Sequence, residues 1–252
     1  MSTNKESGHQ KNIDNFKTLT IGVESYGIKY KPSNTNIALL ALQAVYATTN
    51  TAKIAAVTTL KLHRDAILTR KNCFTPIPKL ATRVFRALKT SDVDDGIIAQ
   101  AKSLVAKIRG ERITPIRKVT PVVISLPQPP VTPVTHSVSQ QSFTNMVDHL
   151  AGLILILDSE PNYKPNEADL SVVSLQALQA ELKADNEACD DAMFNYNNAI
   201  TIRNLAIYNP KTGICDLAAT TKNYVSQLFG LKSPEYKAIL RIKFVKLIKI
   251  SK

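Results

Sequence analysis

Tryptophan is absent from this chain, glycine occurs only eight times in 252 residues, and aromatic side chains make up 6%. Sandwiches and barrels draw on turn glycines and ring-filled strands, so this composition argues against an all-β fold. No apolar run approaches the roughly 20 residues of a membrane span. The nearest, 150–157, has eight residues and includes Gly152. The first twelve residues are polar with no apolar signal segment behind them, so the expectation is a soluble, cytoplasmic protein. Cys73, Cys189 and Cys215 are too few, and odd in number, for a disulfide framework. No CxxC pair offers zinc-site spacing, and the GxxxxGK[ST] and GxGxxG phosphate loops are missing.

Catalytic chemistry is equally thin. His9 falls in the polar N-terminal stretch and His136 in a proline-rich one, while His63 and His149 fall on predicted helices. Metal sites in helical bundles pair a glutamate with a histidine three residues on. None of His63, His136 and His149 has an acid at that spacing. Glu187, Asp190 and Asp191 cluster around Cys189, and such a run reads as a solvated helix face. The reading is a protein that is not an enzyme, with no cofactor and no metal.

What the chain has is charge, unevenly spread. The net charge of +12 comes from basic residues 1–110 (17 Lys/Arg against 7 Asp/Glu) and 217–252 (8 against 1). Residues 148–216 are acidic, with 4 Lys/Arg against 11 Asp/Glu. That asymmetry suits either a polyanionic partner or other copies of the chain, met head to tail.

It also has an internal repeat. YKPSNTNIALLALQAV (Tyr30–Val45) matches YKPNEADLSVVSLQAL (Tyr163–Leu178), and at this offset of 133 residues 11 of 41 ungapped positions are identical. Each copy reads as a short amphipathic helix (Ile13–Val23; Phe143–Leu157), an extended YKP lead-in, and one long helix. Ser33 or Asn34, and Asn166, are the expected caps. The long helices run to about Asn72 and Tyr208, ~40 residues and roughly 60 Å each. Turn chemistry ends them at FTPIPK (Phe74–Lys79) and YNPKTG (Tyr208–Gly213). Third helices follow at Lys79–Leu88 and Asp216–Phe229, the second capped by Asp216. Fourth helices follow at Asp92–Ile108 and from Ser233-Pro234-Glu235.

On the long helices, Ala41, Ala44, Thr48, Thr51, Ala55 and Thr58 in one copy and Ala177, Ala180, Ala184 and Ala188 in the other recur at helical spacing. They are expected to form a small-residue stripe that lets helices pack closely. Leu60, Leu62, Ile67, Leu68, Met193, Phe194, Ile200, Ile202 and Leu205 are expected to thicken the far ends. Between the copies, residues 111–140 hold six of the 13 prolines and read as an extended connector.

The duplicated YxP lead-in, the long Ala/Thr helices, the proline-rich middle and the ending Tyr224–Phe244 together resemble a family of uncharacterised bacterial proteins of about this length. Its FG-x-x-SP-x-YK signature matches Phe229, Gly230, Ser233, Pro234, Tyr236 and Lys237. The resemblance spans nearly the whole chain and implies a fold but no activity.

The expectation is therefore an all-α, internally duplicated, elongated bundle: a disordered tail (1–12), a helical repeat (13–110), a connector (111–140) and a second repeat with a basic tail (141–252). Its expected role is structural, as a scaffold that self-assembles or supports a larger assembly, with copies of itself as partner. A basic module binding nucleic acid or another polyanion is the alternative. The candidate interaction surface is Phe229, Tyr236, Lys237, Arg241, Lys243, Lys246 and Lys249, with Val119, Val122 and Ile124 of the connector.

Overall fold

The computed structural model describes residues 5–111 and 141–245. In chain order they form α1 (Lys5–Glu24), α2 (Leu39–Phe74), α3 (Ile77–Thr90), α4 (Asp95–Arg109), α5 (Phe143–Asp158), α6 (Val172–Tyr208), α7 (Ile214–Phe229) and α8 (Pro234–Leu240). Short 3-10 turns lie at Gly27–Lys29, Thr35–Ile37 and Ala168–Leu170. There is no strand among the described residues, and the chain is all-α as its composition predicts. The connector expectation falls on 112–140, outside the described residues.

Local chemistry explains most element ends. Pro76 disfavours helical geometry at Thr75, and α2 stops at Phe74. The Asp94 carboxylate accepts from the Gly96 amide at the start of α4, and Gly110, at φ 72°, closes it in the left-handed region. The Ser233 hydroxyl accepts from the Tyr236 amide, with Pro234 in the first turn of α8. Two expected caps differ. The long helices do not start at the YKP segments but after the 3-10 turns, at Leu39 and Val172, with Asn34 capping the first turn through the Asn36 amide. Asp216 does not cap α7. Gly213 holds that position, and the Asp216 carboxylate accepts from the Lys211 amide at 3.2 Å.

The described chain divides into two compact units, Met1–Arg64 with Ala192–Lys252, and Asp65–Asp191. The division falls inside α2 and α6 rather than between the two copies read from the sequence. Each unit takes its leading helix from one half of the chain and its last two helices from the other. In the first unit, Ile13, Phe16 and Leu19 of α1 share a core with Leu42 of α2, Ile207 of α6, Val225 of α7 and Ile239 of α8. In the second, Leu150, Leu153 and Leu157 of α5 pack with Val84 and Leu88 of α3, Val105 and Ile108 of α4, and Leu175 and Leu182 of α6. Each such side chain, fully buried, contributes about 1.5–3 kcal/mol. Leu150, Leu153, Ile154 and Leu157 of the apolar run 150–157 are thus core, while Leu155 is exposed. Gly152 lets α4 come close there, since a Cβ in its place would meet Leu104 at 3.3 Å.

The lead-ins of the long helices match in detail. The Tyr30 hydroxyl donates to the Ile37 carbonyl at 2.7 Å, and the Tyr163 hydroxyl donates to the Leu170 carbonyl at 2.8 Å. Both tyrosines are buried, and each bond clamps the loop over the 3-10 turn that starts the helix.

Two expectations need correction. The N-terminal stretch expected to be a disordered tail is helical from Lys5, with His9 and Asn12 buried. The small-residue stripe also sits one position away from where it was placed. On α2 the inward positions are Leu42, Thr49, Ala52 and Ala56, continuing through half-buried His63, Ala66, Arg70 and Cys73. On α6 they are Leu175, Leu182, Cys189, Ala199, Arg203 and Ile207. Ala44, Thr48, Thr51, Ala55 and Thr58, and all four alanines proposed on α6, are exposed. The reason is area: burying Leu42 or Leu175 removes far more apolar surface than burying an alanine, so the leucine sets the helix rotation.

Candidate interaction surface

The C-terminal segment is built into the first unit. The Phe229 ring lies 5.0 Å from that of Tyr26, and the Tyr26 hydroxyl donates to the Glu235 carbonyl at 3.1 Å. Burial, with Glu235 nearby, pushes the Tyr26 phenol up. Gly230, at φ 88°, makes the turn into α8, and Tyr236 is half-buried against the same core. Beyond α8 the chain is tied to α1. The Asn12 side-chain amide donates to the Val245 carbonyl at 2.8 Å and its oxygen accepts from the Val245 amide at 2.9 Å. Asn15 donates to the Lys243 carbonyl at 2.6 Å. The Lys222 ammonium donates to the Ile242 carbonyl and sits over the Phe244 ring, and burial, with Lys243 nearby, lowers its pKa.

These contacts sort the predicted site residues. Phe229 and Tyr236 serve the core and are half-buried, whereas Lys237, Arg241 and Lys243 are exposed along one stretch of backbone. Lys246, Lys249, Val119, Val122 and Ile124 lie outside the described residues. The sequence signal for this docking was the polar pair Asn12 and Asn15, four-fifths of a turn apart on one helix face, but asparagines on helices rarely announce a partner.

No described histidine assembles a reactive group. His9 approaches the Tyr208 hydroxyl at 3.0 Å, and His63 stacks on Tyr196 with ring centroids 6.1 Å apart. Burial, then Lys107, lowers the His149 pKa. The Cys73 thiol is pushed up to about 11, first by its hydrogen bond to Asp185 and then by burial, so it is a poor nucleophile near neutral pH. Among the described residues no three His, Cys, Asp or Glu side chains are placed to hold a metal ion. Glu187, Asp190 and Asp191 are exposed on α6.

The feature that sequence reasoning missed is the outer side of the long helices. Within the first unit Ile54 is 52% exposed and Leu62 55% exposed on α2. On α6, Phe194 is 74% exposed and Leu205 54% exposed. Leu62, Phe194 and Leu205 were expected to thicken a bundle end. Instead, setting the stripe on Leu42 and Leu175 turns them to solvent. A signal was available, because the same rotation that buries Leu42 puts Ile54 on the far side.

Charge follows the same helices. From Leu39 to Arg64, α2 carries Lys53, Lys61 and Arg64 and no acid, whereas from Val172 to Asp191, α6 carries five acids against Lys183 alone. No described helix is long and apolar enough to cross a membrane. No family model matches the chain, and neither a curated protein nor a solved structure matches it.

Proposed function

We propose that this protein is a non-enzymatic scaffold of the cytoplasm, built from two related helical halves, that assembles with copies of itself. The observation that carries the reading is that four large apolar side chains, Ile54 and Leu62 on α2 and Phe194 and Leu205 on α6, are held exposed on helices whose opposite sides are already buried. Single exposed apolar residues are ordinary, but large ones exposed on both long helices of one unit are the side chains a partner would cover. The opposite charge of the two long-helix segments selects another copy as that partner. The basic segment of α2 in one copy meets the acidic segment of α6 in the next, a heterologous contact that builds rings or filaments.

The origin by duplication is part of the same reading. It is supported by the shared YKP segments, by long helices starting 133 residues apart, and by the two equivalent tyrosine bonds. Membership of the bacterial family with the FG-x-x-SP-x-YK signature is proposed on the sequence resemblance alone; in this chain Phe229 of that signature packs, Gly230 takes the positive φ, Ser233 caps and Pro234 opens α8.

Light scattering on a size-exclusion column at low and high salt tests the scaffold. Particles much larger than the 27.7 kDa chain that shrink as salt rises support it, and a monomer at high concentration and low salt removes it. Exposed Lys237, Arg241 and Lys243 favour a second reading, polyanion binding. A raised 260/280 nm absorbance ratio on the same column is its mark, conspicuous in a protein without tryptophan.

A further inference from the structure

Where the lead-in of a long helix crosses the helix that follows the other long helix, each unit forms a surface cleft. In the second unit it encloses about 610 Å³ between α3 and the segment before α6, and in the first about 420 Å³ between α7 and the segment before α2. The walls correspond at the offset of 133 residues: Arg83, Arg86 and Thr90 on α3 stand where Asp216, Ala219 and Asn223 stand on α7. In each unit the lead-in that forms one wall is held by the same tyrosine-to-carbonyl bond. The frame is shared and the charge is not.

We propose that the cleft of the second unit binds a small phosphate-bearing anion, of the size of a diphosphate or a phosphorylated metabolite. Arg83 and Arg86, three residues apart, present two guanidinium groups from one face of α3. Lys164 and the Asn166 amide face them from the other wall. Arg83 is oriented by two hydrogen bonds to Asp169, at 2.5 and 3.2 Å, which also neutralise that carboxylate. The Asn162 amide donates to the Asp92 carbonyl at 2.6 Å and fixes the rim. Glu167 is the one acid among the cleft's lining residues, and with Arg83 paired to Asp169 the cations left for an anion are Arg86 and Lys164. A polar cleft of a few hundred Å³ with the Arg86 fork opposite a lysine suits phosphate oxygens better than an apolar ligand. In the first unit, Asp216 and Ala219 take away the two arginines, so that cleft is a control inside the same molecule.

This site is independent of the scaffold reading, since a monomer binds the anion as well as an assembly does. Titration of the full chain with inorganic pyrophosphate, followed by amide NMR, tests it. The expected result is saturable binding with one ligand per chain, shifting amides between Arg83 and Ser91 and between Asn162 and Glu167 while Thr220 and Asn223 stay still. Arg86→Gln and Lys164→Gln each remove a charge-assisted bond and are expected to weaken binding about tenfold or more. Both residues are exposed, and unchanged circular dichroism verifies the fold. The proposal is overturned if the double variant binds as tightly as the parent. It is also overturned if pyrophosphate shifts only Lys237, Arg241 and Lys243, or if both clefts respond alike.

Discussion

Asn12 and Val245, 233 residues apart, exchange two hydrogen bonds: the asparagine side-chain amide donates to the valine carbonyl and its oxygen accepts from the valine amide. The side chain stands in for a neighbouring strand. It is fully buried, and with Asn15, which donates to the Lys243 carbonyl, it ties the C-terminal segment to α1.

Asn12→Ala removes both side-chain bonds to the Val245 backbone and empties a fully buried position. The expected loss is about 2–3 kcal/mol, read as a lower urea midpoint with an unchanged slope. A loss under about 0.5 kcal/mol would mean that the C-terminal segment is not held this way.

The register of the long helices predicts a contrast within α6. Leu175→Ala empties a fully buried position and is expected to cost about 2–5 kcal/mol. Ala188→Ser, on the exposed side, is expected to stay within about 0.5 kcal/mol. Comparable losses at the two positions would place the stripe back on the alanines.

Alkaline pH should destabilise the fold before it affects the backbone. Burial raises the Tyr30 and Tyr163 phenols to about 12, and the Asp185 bond with burial raises the Cys73 thiol to about 11. In each case the native state holds its proton more tightly than the unfolded chain. Their contribution is therefore fully present below the unfolded values of 10.0 and 9.0 and is lost as pH rises through the folded ones. Urea midpoints are expected to fall from about pH 9 to pH 12. In an absorbance titration of the native protein, Tyr30 and Tyr163 ionise late, and burial also delays Tyr26 and Tyr208. Tyr30→Phe with Tyr163→Phe should flatten the upper part of the pH dependence; an unchanged profile would assign it elsewhere.

Phe194 separates folding from assembly. Its ring is 74% exposed, so Phe194→Glu is expected to leave the unfolding midpoint within about 0.5 kcal/mol of the parent. The same change places a charge among the exposed apolar side chains and is expected to shift light-scattering mass toward the monomer. A variant that assembles like the parent would remove α6 from the contact.

Element identity was legible in the sequence because it rests on short-range chemistry. Asp94, Ser233-Pro234 and the prolines of FTPIPK act within a few residues of themselves, and the helices they delimit lie where the pattern placed them. The repeated YKP segment likewise marked where each long helix begins, apart from the 3-10 turn that precedes it. Which side of a helix is buried is a different matter. Alanines at helical spacing describe a possible stripe, but Leu42 and Leu175 outweigh them once a core exists to receive a leucine.

The sequence by itself determined an all-α chain, the positions of its helices and the uneven spread of its charge, since propensity, capping and composition need no distant partner. Only the tertiary structure decided that α1 packs with α7 and α8 while α5 packs with α3 and α4, because apolar faces are interchangeable until they are brought together. It also decided that Asn12 holds Val245, that Phe194 faces water, and that Arg83 and Arg86 stand across a cleft from Lys164. Each of these depends on residues far apart in the chain, whose meeting is set by the packing of whole helices rather than by any local signal.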